Sequence, residues 1–133
     1  KSKLSSIAKD YIGEADGKIA DSAMRDQVLQ YEMAQRSLNL TKRRVIQESA
    51  DGATLGPATS IFKVMSTDLE KIYSDLATSL RGSQGFGWEG DAFTDTELED
   101  MRVLLSSRAA SIYSGSNEIQ RNIIAKRVLG LPD

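Results

Sequence analysis

Near the end of the chain, three small residues interrupt a helical pattern. They are Ser114-Gly115-Ser116. Gly115 can adopt a positive φ angle without a Cβ clash, and Ser114 and Ser116 are both of a type that caps the start of a helix. Such a turn can direct free amide groups and the positive end of a helix dipole towards an anion, a phosphate or a polarised carbonyl. A plain connection between two helices would use the same residues, so the pattern alone leaves both interpretations open.

The residue types that are absent exclude several kinds of catalytic site. The 133 residues include no cysteine and no histidine. Disulfides, thiolate nucleophiles, iron–sulfur clusters and histidine-ligated metals are therefore excluded, and so is Ser-His-Asp catalysis. Proton chemistry within this chain would fall to carboxylates, lysine or tyrosine, and we assign no metal site.

The composition is that of an ordinary globular domain. Of the residues, 40% are hydrophobic and 27% charged, with a formal net charge of −2, and the length favours one domain. The basic cluster at 42–44 lies within a helical pattern, so we interpret it as a solvated face rather than a nucleic-acid-binding patch. No apolar stretch is long enough for a membrane span, and no signal peptide is recognisable. The chain starts at Lys1 within a helical pattern, which predicts a piece of a longer protein.

Apolar residues recur every three or four positions in five stretches, which predicts five helices. The predicted ranges are 1–12, 22–50, 57–81, 95–112 and 117–129. No stretch alternates between apolar and polar residues, so no strand is predicted. Long helices with short connections are typical of an all-α fold, here an up-and-down four-helix-type bundle with an extra short helix. Methionines and aromatic residues at helical spacing are predicted to lie in the core, and they include Met33, Phe62, Met65 and Tyr73.

Residues at several predicted helix ends have the matching cap chemistry. Asp21 is predicted to be the N-cap of the second helix, and Gly52 to end it. Pro57 suits the first turn of the third helix. Thr94 and Glu97 have the spacing of a capping box before the fourth helix.

Two glycine-rich stretches, 13–20 and 82–90, are predicted to be loops. The second contains four glycines and two aromatic residues in nine positions. Glycine lacks a Cβ, so this loop is the second place in the chain at which the backbone could closely approach a ligand.

The residues around the Ser-Gly-Ser turn closely resemble the C-terminal signature of FAD-dependent acyl-CoA dehydrogenases. Residues 108–131 carry the resemblance, with Tyr-Ser-Gly-Ser-Asn-Glu-Ile-Gln-Arg at their centre. Residues 80–86, Leu-Arg-Gly-Ser-Gln-Gly-Phe, are similar to the family's glycine-rich loop. The resemblance implies that residues 1–133 form a single C-terminal helical-bundle domain of a longer enzyme, whose N-terminal helical and middle β domains lie outside this sequence.

The resemblance also implies a function for the turn. In this family, FAD oxidises the Cα–Cβ bond of an acyl-CoA thioester, and a carboxylate removes the α-proton. By resemblance, Gly115, Ser116, Asn117 and Glu118 contact the FAD. Tyr113 and Gly115 lie, by the same resemblance, beside the acyl-CoA substrate.

Further expectations follow from the family. The resemblance implies that Arg81, Gly82 and Ser83 contact the FAD of a neighbouring subunit in a homo- or hetero-tetramer. It implies an electron-transfer flavoprotein or a similar acceptor as the redox partner. A bacterial cytoplasmic location is expected rather than the mitochondrial matrix.

The departure from the family pattern that matters most lies at the position of the catalytic base. Many family members have the catalytic glutamate just before the turn glycine, and this chain has Ser114 there. An unassisted serine hydroxyl is too weak a base to remove an α-proton at neutral pH. Either an upstream helix supplies the base, or the chain is a catalytically silent subunit that pairs with an active one.

Two other classes of protein stay open at this stage. A non-enzymatic oligomerisation or interaction module would have the same helical pattern, although it would not need Ser-Gly-Ser-Asn-Glu at a helix start. Acyl-CoA oxidases and nitroalkane oxidases share the fold but pass electrons to oxygen. A flavin spectrum of the full-length protein separates the first class from a flavoenzyme.

Overall fold

Five α-helices make up most of the described residues, 3–49 and 56–132, of the computed structural model. The bounds are Lys3–Tyr11 (α1), Ser22–Ser49 (α2), Ala58–Arg81 (α3), Asp95–Ala110 (α4) and Asn117–Ile123 (α5). The five predicted helices and the all-α class are thus confirmed. A π-helical turn, Ile124–Val128, follows α5 directly. Within the described ranges, no helix combines the length and the apolar character that crossing a membrane requires.

The helix α3 is the element against which the others pack. It contacts α1, α2, α4 and α5. The main core lies where the last turns of α3 meet α1 and α2, and its members are almost completely excluded from solvent. They are Leu4, Ile7, Ala8, Ile19, Val28, Leu76, Ala77 and Leu80.

Two of the residues predicted to lie in the core are exposed. Met33 is 57% exposed and Met65 37%, whereas Phe62 and Tyr73 are half-buried. The prediction was therefore wrong for the two methionines. The helix α2 carries apolar residues on more than one face, and helical spacing does not say which face meets the rest of the domain.

A short β-hairpin occupies part of the stretch predicted as a loop at 13–20. Its strands, Glu14–Ala15 (β1) and Lys18–Ile19 (β2), pair antiparallel. The turn residues Asp16 and Gly17 have φ angles of 50° and 74°, as a two-residue type I′ turn requires. The prediction of no strands was wrong here because two-residue strands are too short to show alternation, although Asp-Gly itself is a hairpin signal.

The predicted helix caps are largely confirmed. The side chain of Asp21 accepts from an amide in the first turn of α2 at 2.8 Å. Thr94 and Glu97 form both halves of a capping box at α4. Pro57 lies immediately before α3, as its N-cap. The predicted end of the second helix at Gly52 lies outside the described residues.

The glycine-rich stretch after α3 begins as a short 3₁₀ helix, Gly82–Phe86, which folds back on α3. A Cβ added to Gly85 would lie 2.3 Å from the carbonyl oxygen of Thr78. A Cβ on Gly87 would lie 2.4 Å from the ring of Phe93. Glycine at these two positions therefore permits the compact packing of the loop.

Candidate functional site

The segment between α4 and α5, residues 111–116, forms a closed turn at the surface. The amide of Asn117 donates to the carbonyl of Ser111 across the turn, at 3.0 Å. Ser114 and Gly115 both have positive φ angles, 57° and 86°, which is common for glycine and unusual for serine. Both residues are exposed. Within the described part of the chain, their amides have no internal hydrogen-bond acceptor, so the turn presents free donors at the surface.

Ser116 and Glu118 form a small hydrogen-bonded unit at the start of α5. The hydroxyl oxygen of Ser116 accepts from the amide of Ile119 at 3.5 Å, which confirms the predicted cap. A hydrogen bond from Ser116, followed by one from the main chain of Glu118 itself, lowers the pKa of the exposed Glu118 carboxyl. A carboxylate with a lowered pKa is a weaker base. Glu118 is thus suited to accepting hydrogen bonds and poorly suited to removing an α-proton.

Tyr113 and Ser114 lie on the exposed side of the turn. Tyr113 is 59% exposed, so an aromatic surface with a hydroxyl group is available beside the free amides. No carboxylate of the described residues hydrogen-bonds the hydroxyl of Ser114. Ser114 therefore has no partner here that would turn it into a base.

The side chain of Asn117 points into the bundle. It is 3% exposed, and its carboxamide oxygen accepts from Lys63 and from Thr67, both at 3.2 Å. Its carboxamide nitrogen donates to Asp68 at 3.2 Å. We call Lys63, Thr67, Asp68 and Asn117 the polar cluster. The side chain is fully engaged there, and the amide of Asn117 bonds the carbonyl of Ser111, so Asn117 supports the turn from within the domain.

The polar cluster continues into the neighbouring helices through charged side chains. The ammonium of Lys63 donates to the carbonyl of Ala110 at 2.9 Å. Asp68 pairs with Lys71 at 3.1 Å and with Arg121 at 3.6 Å. Sequence reasoning missed these residues of α3. Polar residues at 63, 67, 68 and 71, at helical spacing within a mostly apolar helix, were the available signal.

The second predicted cofactor region, Arg81 with Gly82 and Ser83, lies at the other end of α3. The guanidinium of Arg81 is buried, where it pairs with Asp100 and lies 5.3 Å from the ring centre of Tyr11. Gly82 and Ser83, which follow it, are exposed. Arg81 thus anchors the start of the loop to the interior of the domain. Gly82 and Ser83 are the exposed part of this region.

The two predicted cofactor regions are well separated within this chain. Thr67, beneath the turn, and Arg81 are fourteen positions apart on one continuous helix. At a rise of 1.5 Å per residue, this places them about 20 Å apart. One domain therefore presents two distinct surfaces rather than a single pocket formed by both regions.

A hydrogen-bonded pair supports the loop end of the bundle. The hydroxyl of Tyr11 donates to Glu97 at 2.7 Å. This bond, followed by burial, raises the pKa of Tyr11. The amide of Thr94, followed by Tyr11, lowers the pKa of Glu97. Tyr11 therefore stays protonated and Glu97 ionised at neutral pH, and the pair joins α1 to the start of α4.

The sequence of this chain is similar to those of known acyl-CoA dehydrogenases. The profile of the family described as "Acyl-CoA dehydrogenase, C-terminal domain" matches residues 10–129. The acyl-CoA dehydrogenase IpdE1 of Mycolicibacterium smegmatis is 33% identical over 124 residues, which cover 91% of this chain and 29% of that protein. IpdE1 of Mycobacterium tuberculosis is 36% identical over 98 residues, covering 69% of this chain and 24% of that protein. The chain thus spans less than a third of the length of these relatives. No solved structure gives a significant match.

Proposed function

Because the chain belongs to the acyl-CoA dehydrogenase family, we propose that it is the C-terminal domain of a flavoprotein that α,β-dehydrogenates acyl-CoA thioesters. The match to the family's C-terminal domain over residues 10–129 carries the proposal. The domain supplies FAD contacts and subunit packing, and the rest of the site comes from outside this stretch. FAD, when bound, supplies the acceptor for the hydride that leaves the β-carbon. The mycobacterial relatives favour a bacterial setting over a mitochondrial one.

The turn fits a cofactor that is rich in hydrogen-bond acceptors. The free amides of Ser114 and Gly115 are donors at an exposed surface, and the missing Cβ of Gly115 allows close approach. We assign FAD contacts to Gly115, to Ser116 and to Glu118, and we assign to Asn117, whose side chain and amide are bonded within the domain, the support of the turn. Tyr113 and Gly115 lie on the side assigned to the acyl-CoA.

The loop region is assigned to the FAD of a neighbouring subunit. Gly82 and Ser83 are exposed, and about 20 Å of α3 separates their end of the helix from the turn. A tetramer in which each domain touches two cofactors accounts for that separation. The buried Arg81 supports this region indirectly, because its ion pair with Asp100 fixes the end of α3.

The base that removes the α-proton is assigned to a carboxylate outside this chain. Ser114 occupies the family's glutamate position without a partner that would activate it, and the pKa of Glu118 is lowered by its hydrogen bonds. The same observation favours a second candidate, a catalytically silent subunit paired with an active one. In both cases, this domain binds and orients but does not take the proton.

Flavin bleaching tests the proposal that this domain contacts the flavin while the catalytic base lies outside it. The full-length protein, reconstituted with FAD, is mixed with acyl-CoA thioesters, and the flavin absorbance is followed. We expect bleaching by the full-length protein, alone or with its partner subunit, and none by residues 1–133 alone. Bleaching by residues 1–133 alone would show that the base and the flavin site both lie in this domain.

The substitution Ser114→Glu tests where the base lies. If an upstream carboxylate already takes the proton, a second carboxylate beside it raises the pKa of one of the pair, and the bleaching rate stays equal or falls. Ser114→Gln is the matched control, because it changes size without charge. A rate that rises for Ser114→Glu and not for Ser114→Gln would instead identify a silent half-site.

A further inference from the structure

Lys63 lies beneath the turn and joins its two ends. Its ammonium donates to the carbonyl of Ala110, the last residue of α4, at 2.9 Å. It also donates to the carboxamide oxygen of Asn117, the first residue of α5, at 3.2 Å. One half-buried side chain from α3 thus connects the residues on either side of the 111–116 segment.

These bonds are energetically significant because of where they lie. A cation near the last carbonyls of a helix is stabilised by the helix dipole, as the ammonium of Lys63 is at the end of α4. Ala110 and Asn117 are 1% and 3% exposed, so water has little access to the polar groups that Lys63 satisfies. A buried polar group that loses its partner carries the full cost of its desolvation.

The turn has a conformation that needs such support. Consecutive positive φ angles at Ser114 and Gly115 persist when the surrounding structure determines them. Across the turn itself, the amide of Asn117 bonds the carbonyl of Ser111. Lys63 adds an anchor from a separate helix, which ties the spacing between α4 and α5 to the rigid α3.

We propose that Lys63 is a positioning residue, which holds the turn in the shape that binds the flavin by bridging Ala110 and Asn117. This inference rests on the proposed function, in which the turn contacts FAD. Lys63 itself touches neither cofactor nor substrate. It determines how far apart the two ends of the turn lie, and therefore where the free amides of Ser114 and Gly115 point.

The test compares Lys63→Met with Lys42→Met in the full-length protein. Methionine is unbranched and only one heavy atom shorter than lysine, and it removes the charge and the donors. Lys42 is a matched control, because its ammonium is also half-buried and bonds across helices, to Ser66 at 2.8 Å, but does not reach the turn. Two properties are measured for each variant: amide hydrogen exchange over residues 111–119 without flavin, and the affinity of the apoprotein for FAD.

For Lys63→Met, we expect faster exchange confined to residues 111–119 and FAD binding weakened by about tenfold, the equivalent of one lost charge-assisted hydrogen bond. Lys42→Met leaves both unchanged, even if it lowers the melting temperature. Unchanged exchange in Lys63→Met overturns the inference, and so does faster exchange with unchanged FAD affinity. If the parent protein binds no FAD, the proposed function fails, and the exchange data alone then show whether Lys63 shapes the turn.

Discussion

The guanidinium of Arg81 and the carboxylate of Asp100 form a buried ion pair that joins the end of α3 to α4. The two residues are 6% and 5% exposed. The guanidinium also lies over the ring of Tyr11, so the pair connects α1 as well. Gly82 follows Arg81 directly, which means that the ion pair fixes the point at which the glycine-rich loop begins.

Asp100→Asn is expected to destabilise the protein by about 3–5 kcal/mol, because it removes the ion-pair partner of the buried guanidinium of Arg81. Glu99→Gln is the matched control, since Glu99 is exposed and pairs at the surface with Arg102 at 4.0 Å. That change should cost less than about 1 kcal/mol. Denaturant unfolding measures both. Similar small losses in the two variants would contradict a structural role for the buried pair.

The parts of the fold that depend on local chemistry were predictable from sequence. The side chains of Asp21, Thr94 and Glu97 bond groups only three residues away in sequence. Their spacing alone therefore predicts the helix caps. The exposure of Met33 was not predictable in this way. It depends on which side of α2 meets α3, and that is decided by the packing of residues distant in sequence.

The candidate site also combines features that depend on nearby residues with features that depend on residues distant in sequence. The positive φ of Gly115 could be predicted because a sharp turn between two helices requires it. The burial of Asn117 could not, since its partner Lys63 is 54 positions away in sequence. Nothing local distinguishes an asparagine that faces a cofactor from one that anchors a turn. Only the placement of α3 beneath the turn does so.

The stability of the protein should depend on pH through Glu97. Hydrogen bonds from the amide of Thr94 and from Tyr11 hold its folded-state pKa below the ordinary glutamate value, so its contribution to folding is complete above that value. The contribution is lost as the pH falls through the folded-state pKa. Glu97→Gln should therefore reduce the loss of unfolding free energy between about pH 6 and pH 3. An unchanged pH dependence in Glu97→Gln would contradict this role for Glu97.

Gly115→Ala is expected to cost about 1–2 kcal/mol, because alanine is strained at a positive φ. An added Cβ would also lie 2.7 Å from the carboxamide nitrogen of Gln120, at the end of a flexible side chain. Unfolding in denaturant gives the cost. Repeating the change in a Gln120→Ala background removes the steric part and leaves the backbone strain. A cost that vanishes in that background would mean that the φ angle is not the constraint.

The helix α2 has an apolar face that this chain leaves exposed, and we expect it to pack against another subunit. Leu29, Met33 and Leu40 are each at least 50% exposed, and their spacing puts them on one face, turned away from the buried Val28. Met33→Glu should lower the oligomer mass measured by light scattering, because a charge cannot be buried there without a partner. Gln27→Glu adds the same charge at an exposed position on a different side of α2 and should leave the mass unchanged. Equal masses for both variants and the parent protein would place the subunit contacts elsewhere.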